Sequence, residues 1–151
     1  MNEIQYITLD ELLNVYSKTI EDSDGGFAGL RDKGRIESVL EFLQDDLFYP
    51  TFESKLTFLV SRICRGHMFY DGNKRMSLTL GVYFLHKNGY YWAATTFMTH
   101  MAAIIMHVAA GNINDEMLGR IIPYVIKGED FDEALKLEMA EAMSKNALID
   151  E

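Results

Sequence analysis

The fold of this chain is decided by the stretch HMFYDGNKRMSLTLGVYFLHK, residues 67–87. Its second half is apolar on nearly every side of a helix, which is typical of a helix surrounded by other helices. Its first half contains the pair Gly72-Asn73, a turn sequence at the point where this helix should begin. We therefore predict a buried central helix over about residues 74–87, entered through a polar turn.

Apolar residues recur at helical spacing along most of the rest of the chain. Thr8 and Glu11 form a capping-box pattern before the first of these stripes, and Pro123 is expected to kink or end a later helix. The stripes cover residues 9–20, 36–43, 56–64, 97–108 (starting after Thr95 or Thr96) and 117–125, with a more polar segment over about 130–143. The sequence thus predicts an all-α fold of six or seven helices around the segment 74–87.

Length and composition are those of an ordinary globular protein. The 151 residues are 48% hydrophobic and 25% charged, and the simplest organisation is a single domain over 1–151. No apolar stretch approaches the roughly 18 residues of a membrane span, and the N-terminus lacks a basic region followed by an apolar one. Cys64, the one cysteine, lies in an apolar stripe and should pack in the core. We expect a cytoplasmic protein with no membrane partner.

The charge balance bears on partners. The chain has 14 Lys and Arg residues against 23 Asp and Glu residues, which gives a net charge of −9. Proteins that bind nucleic acids usually carry an excess of basic residues that neutralises phosphates. A nucleic-acid partner is therefore not expected.

The turn before the central helix has the composition of an anion-binding site. A helix N-terminus presents unpaired N–H groups and the positive end of the helix dipole. Lys74 and Arg75 add two full positive charges, and Asp71 could hold a divalent metal against phosphate oxygens. His67 lies just before this turn and can accept a proton near neutral pH. These residues indicate a polyphosphate site with a general base at its edge.

Other residues of the run support the same site, and one has a plainer alternative. Gly72 permits close approach of the backbone to a ligand, and Asn73 can orient the turn and donate to a phosphate. The fixed fork of donors on Arg75 suits bidentate phosphate contact. Asp71 could instead cap the helix through a side-chain oxygen. Phe69 is expected to pack inward as an anchor.

The run resembles the signature of the Fic/Doc family, His-x-Phe-x-Asp/Glu-Gly-Asn-x-Arg, over residues 67–75. The sequences GLRDKG at 29–34 and ESVL at 37–40 are similar to the Doc (death-on-curing) branch of the family, as is the stretch from Gly81 to Tyr90. The resemblance covers about residues 25–92. It implies the helical Fic/Doc fold and transfer from ATP to a hydroxyl on a target protein.

The resemblance also implies roles for the signature residues. His67 would be the catalytic base that deprotonates a Ser, Thr or Tyr hydroxyl of the target, and Asp71 would bind Mg²⁺ bridging two phosphates. Residues 72–75 would bind the nucleotide. The segment of about Gly25–Arg31, rich in glycine, would be a flap that docks the target as an added strand. A plain connector is the alternative for that segment.

The residues after Asn73 bear on which group is transferred. Adenylylating members carry glycine where this chain has Lys74, and a second arginine where it has Leu78. The arrangement here is that of Doc, for which the resemblance implies a reversed nucleotide pose and phosphorylation. Gly72, however, follows the Fic form. We expect phosphoryl transfer, with AMP transfer as the alternative.

The resemblance further implies a partner that restrains the enzyme. Many Fic proteins are inhibited by a glutamate that pairs with the second arginine, which Leu78 replaces here. We therefore expect a toxin restrained by a separate antitoxin chain, as in the Doc systems. Two other interpretations remain: a non-catalytic module that binds nucleotide or protein, and a metal-dependent hydrolase. The second would use His67 and Asp71 as ligands, and two ligands are too few for zinc.

Overall fold

Seven α-helices make up the fold in the computed structural model, which describes residues 3–22 and 29–145. Within those ranges no residue forms part of a β-strand longer than an isolated bridge. None of the helices found there is long and apolar enough to cross a membrane. The helices are α1 (Leu9–Asp22), α2 (Lys33–Phe42), α3 (Phe52–Arg65), α4 (Asn73–Lys87), α5 (Tyr91–Ala109), α6 (Asp115–Lys127) and α7 (Glu133–Ser144). The all-α prediction of six or seven helices is confirmed.

The helix α4 lies at the centre of the fold, in contact with α1, α3 and α5. Its side chains Met76, Leu80 and Phe84 are fully buried. Gly81 lets α5 approach closely, because a Cβ atom at this position would lie only 2.6 Å from the ring of Phe97. The central helix predicted over residues 74–87 is therefore present, and it begins one residue earlier.

The helix α1 runs antiparallel to α4. At its start, the predicted capping box is present: the N–H of Thr8 donates to Glu11 Oε1 at 3.0 Å, and the N–H of Glu11 donates to Thr8 Oγ1 at 3.1 Å. The other oxygen of Glu11 accepts from Tyr83 (2.5 Å) and Lys87 (2.7 Å) near the end of α4. The C-terminal part of α1 consequently lies beside the turn that opens α4.

Two predicted helix boundaries were wrong. The helix α5 begins at Tyr91, so Thr95 lies inside it and its hydroxyl donates to the carbonyl of Trp92. The helix α6 continues through Pro123 to Lys127. Of the two effects predicted for this proline, ending the helix is therefore wrong, and a kink stays a prediction. The C-cap of α6 is Gly128, whose φ of 70° is left-handed.

Candidate functional site

The signature turn starts where α3 ends. Gly66 caps α3, and its N–H donates to the carbonyl of Arg62 at 2.8 Å. A Cβ atom at this position would lie 2.5 Å from that carbonyl oxygen and 2.6 Å from the Cε of Met68. Because such distances are far inside van der Waals contact, only glycine fits here without a shift of the backbone. The chain can therefore leave α3 and turn sharply into His67.

His67 has a strained backbone. Its φ of 52° makes it the one residue other than glycine with a positive φ in the described ranges 3–22 and 29–145. This left-handed conformation costs on the order of 1–2 kcal/mol for a residue with a side chain. The turn places the imidazole in solvent, while the next two residues, Met68 and Phe69, are buried. The predicted base is thus accessible from outside the molecule.

Phe69 anchors the turn, as predicted, and Asn73 holds it there. The Nδ2 of Asn73 donates to the carbonyl of Phe69 at 3.0 Å, and its Oδ1 accepts the N–H of Phe69 at 3.1 Å. The structure therefore shows Asn73 orienting the turn. A contact between Asn73 and a phosphate stays a prediction.

The N-terminus of α4 has the features of an anion site. Gly72 is the N-cap, with a left-handed φ of 81° and no side-chain hydrogen bond to the helix. The first turn of α4 contains Lys74 and Arg75 and no acidic residue. A helix N-terminus without a capping side chain, where the positive end of the helix dipole lies, is typical of sites that bind anions. This geometry favours a phosphate group at the end of the helix.

Asp71 does not cap the helix. Its Oδ1 accepts from the N–H of the next residue, Gly72, at 2.8 Å, whereas a capping oxygen accepts from the second or third helical residue. The capping alternative is therefore wrong. The carboxylate is exposed beside the helix N-terminus, and one carboxylate with phosphate oxygens and water is an arrangement that Mg²⁺ accepts.

The last residues of the predicted flap lie against the signature. The N–H of Arg31 donates to the carbonyl of Met68 at 2.8 Å, and the N–H of Tyr70 donates to the carbonyl of Gly29 at 3.3 Å. Leu30 and Phe69 thereby form an antiparallel bridge. Residues 25–28 of the predicted flap lie outside the described residues.

Two residues that support the site were missed in the sequence. Tyr16 of α1 stacks on Phe69, with ring centroids 4.3 Å apart and an interplanar angle of 17°. Arg35 of α2 donates from Nη1 to the carbonyl of Gly66 at 2.6 Å, directly before His67. Tyr16 belonged to an apolar stripe and carried no further signal, and no motif marked Arg35.

The remaining histidines and the cysteine take no part in this turn. His107 is buried and its Nδ1 lies 3.1 Å from the Nδ2 of Asn112, while His86 packs edge-on against Tyr91. Cys64 is buried in the core, as predicted. Among the described residues no three His, Cys, Asp or Glu side chains are grouped to hold a metal.

Comparison with known proteins identifies the family to which this fold and turn belong. The sequence model of the Fic/DOC family matches residues 6–85, more than half of the chain. The chain therefore belongs to the Fic/DOC family.

Among curated proteins, the chain is similar to the "Protein kinase doc" of Escherichia phage P1. The two are 34% identical over 90 residues, which cover 57% of this chain and 70% of the phage protein. The resemblance to the Doc branch is thus confirmed. The family match also includes α1 and Tyr16, which lie before the range of about 25–92 recognised from motifs.

Proposed function

We propose that this chain is an ATP-dependent transferase that phosphorylates a hydroxyl group of a target protein, as a cytoplasmic toxin. The observation that carries the proposal is the arrangement of the turn itself. An exposed histidine and an exposed carboxylate stand at an uncapped helix N-terminus that also bears two cations, beside a short strand-like edge. The phage relative is named as a protein kinase, which supports the same class of reaction.

The nucleotide is proposed to bind with its phosphates at the N-terminus of α4. The N–H groups there and the charges of Lys74 and Arg75 are complementary to a polyphosphate. Asp71 is the residue that would hold Mg²⁺, which supplies further positive charge to the phosphate oxygens when bound. Gly72 contributes by lacking a side chain where the ligand approaches.

His67 is proposed to remove the proton of the acceptor hydroxyl. As that proton moves to the imidazole, the hydroxyl oxygen forms a bond with the terminal phosphorus of ATP. The bond from this phosphorus to the bridging oxygen breaks, and ADP leaves with the electron pair. General base catalysis of this kind contributes about 10²- to 10⁴-fold in rate.

The target is proposed to dock along Leu30. In the antiparallel bridge, the hydrogen bonds run through the residues on either side of Leu30. In such a pair the N–H and carbonyl of the central residue point away from the neighbouring strand. Within the described residues neither group of Leu30 has a hydrogen-bond partner. They offer an edge to which an extended segment of the target can add, next to the turn that carries His67.

AMP transfer is the second candidate. It has a specific basis, because Gly72 follows the form of the adenylylating members while Lys74 and Leu78 follow Doc. The lysine fills space and adds charge where a glycine leaves room for phosphates, which is our reason for preferring phosphoryl transfer. Since Leu78 stands where an internal inhibitory glutamate would find its arginine, we further propose restraint by a separate antitoxin.

The test uses a bacterial lysate, Mg²⁺ and ATP labelled in its terminal phosphate. Wild-type protein is compared with His67→Ala and with His100→Ala, which removes an exposed histidine on α5. We expect the same labelled lysate protein with wild type and His100→Ala, and none with His67→Ala. Equal labelling by His67→Ala would remove the base from the mechanism. The assay is repeated with ATP labelled in its other phosphates. If wild type binds ATP but labels no protein in any of these assays, the chain is a binding module.

A further inference from the structure

The side chain of Tyr16 joins two parts of the site that are far apart in sequence. It projects from α1, and only 6% of its surface is exposed. Its ring covers that of Phe69 at a centroid distance of 4.3 Å. Its hydroxyl accepts the N–H of Gly29 at 3.0 Å and lies 3.3 Å from the carbonyl of the same residue, to which it can donate.

Core packing alone does not explain this contact. A phenylalanine at position 16 would stack on Phe69 equally well and would have no polar atom to satisfy. The hydroxyl instead bonds the backbone polar groups of Gly29, as a neighbouring strand would. It occupies the N–H of Gly29, the residue whose carbonyl accepts from Tyr70 in the short antiparallel pairing. Gly29 is thereby held on α1 as well as on the signature turn.

The position of the docking edge depends on this contact. Leu30 follows Gly29 directly, and beyond Arg31 the chain enters α2, which is anchored by its N-cap Asp32. At the N-terminal end of the edge, Tyr16 is the described residue outside the signature turn that bonds Gly29. Without the hydroxyl, the edge would keep its bonds to residues 68–70 and could shift or open at its N-terminal end.

We propose that Tyr16 is a positioning residue for the protein substrate, which fixes the edge at Leu30 in register with His67. The inference rests on the proposed function, because it assigns the edge to target docking. It concerns the protein substrate and not the nucleotide, since the ring of Tyr16 stacks on Phe69 and its hydroxyl bonds Gly29, and neither residue belongs to the proposed nucleotide site at 71–75. Loss of the hydroxyl should therefore weaken target binding selectively.

The variant is Tyr16→Phe, which keeps the stacked ring and removes only the hydroxyl. The control is Tyr83→Phe, which removes a hydroxyl bonded to Glu11 at the other end of α1. The first measurement is amide hydrogen exchange by NMR, which needs no substrate. In Tyr16→Phe we expect exchange of the Gly29 amide, which loses its hydrogen bond to the hydroxyl, to rise about tenfold. That change corresponds to about 1.4 kcal/mol, within the range for one lost hydrogen bond. The Phe69 amide, held by Asn73, should exchange as in wild type.

The second measurement is steady-state transfer to the purified lysate protein that wild type labels. For Tyr16→Phe we expect KM for that protein to rise about tenfold, with kcat at saturating target and the Kd for ATP within twofold of wild type. Tyr83→Phe should leave all three unchanged. A purely structural role would move kcat and ATP affinity together with KM.

The outcomes separate the two proposals. If wild type labels a protein and Tyr16→Phe matches it in KM, the positioning role is overturned while the transferase stands. Unchanged exchange of the Gly29 amide overturns it as well. If wild type labels nothing, the proposed function fails and the positioning role fails with it, whatever the exchange rates show.

Discussion

The side-chain amide of Asn73 forms hydrogen bonds with both backbone polar groups of Phe69, at 3.0 and 3.1 Å. The bridge to Leu30 explains why this is needed. In that pairing the polar groups of Phe69 point away from Leu30, just as those of Leu30 point away from Phe69. Asn73 bonds the N–H and carbonyl of Phe69, whereas the N–H and carbonyl of Leu30 bond no described residue. The first residue of α4 thus acts as the inner strand partner of the turn.

Replacing Asn73 by alanine should therefore destabilise the turn even when no ligand is present. The N–H and carbonyl of the buried Phe69 would be left without partners, at a cost of about 2–4 kcal/mol. Urea denaturation of Asn73→Ala and Asn73→Asp measures this, since aspartate keeps the acceptor and loses the donor. We expect the aspartate variant to lose less stability than the alanine variant. Stability within 0.5 kcal/mol of wild type for Asn73→Ala, a margin of about the size of a surface substitution, would contradict this role.

The left-handed backbone of His67 allows its proposed catalytic role to be tested separately from its conformational strain. His67→Ala and His67→Gly both remove the imidazole, so both should be inactive in transfer. At a φ of 52°, glycine avoids the strain that alanine retains, and His67→Gly should be more stable by about 1 kcal/mol. Thermal and chemical denaturation compare the two. If alanine proved the more stable variant, the positive φ would not be the conformation in solution.

A matched pair of glycine substitutions tests the space around the turn. Gly66→Ala would place a methyl group 2.5 Å from a backbone oxygen, whereas Gly34→Ala in α2 meets its nearest atom at 3.6 Å. We expect Gly66→Ala to lose about 1–3 kcal/mol of stability and most of its transfer activity. Gly34→Ala should gain up to about 0.5 kcal/mol, because alanine favours the helix. If the two substitutions changed stability and transfer activity equally, close packing at Gly66 would not explain the loss in Gly66→Ala.

The network at Glu11 predicts a pH dependence of stability. Hydrogen bonds from Lys87, Tyr83 and the Thr8 N–H lower the pKa of Glu11 from 4.5 to about 2. A carboxyl group with a lowered pKa in the folded state stabilises the protein fully above pH 4.5, its pKa in the unfolded chain. The contribution is lost as the pH falls from about 4.5 towards 2.

Because part of the Glu11 side chain is exposed, we expect a contribution of only about 1–2 kcal/mol at pH 7. The measurement is the free energy of unfolding at pH 7 and pH 3 for wild type and Glu11→Gln. The variant should be less stable at pH 7, and the difference should shrink at pH 3. A difference that is the same at both pH values would show that ionisation of Glu11 is not its source.

Local sequence patterns predicted the parts of this molecule that depend on neighbours in the chain. The capping box of Thr8 and Glu11, the burial of α4 and the inward ring of Phe69 all follow from spacing of three to four residues or from side-chain type. Only the alternative that Pro123 ends its helix was wrong, because the packing of α6 outweighs the local signal of one proline.

The contacts that support the turn were beyond such patterns. Tyr16 reaches Gly29, and Arg35 reaches Gly66 across 31 positions of sequence. Both contacts exist only because α1 and α2 lie beside the turn at residues 66–70, so nothing in the local spacing marks them. Motifs predicted the reacting groups, and the structure was needed to find what holds the turn in place.

The central claim is that the terminal phosphate of ATP is transferred to a protein hydroxyl. Intact-protein mass spectrometry of the purified target, after incubation with wild type, ATP and Mg²⁺, tests it most directly, with His67→Ala as the control. The account predicts a mass increase of one phosphoryl group, dependent on His67. An increase of one adenylyl group would contradict it, and would show that Lys74 and Leu78 do not set the direction of the nucleotide.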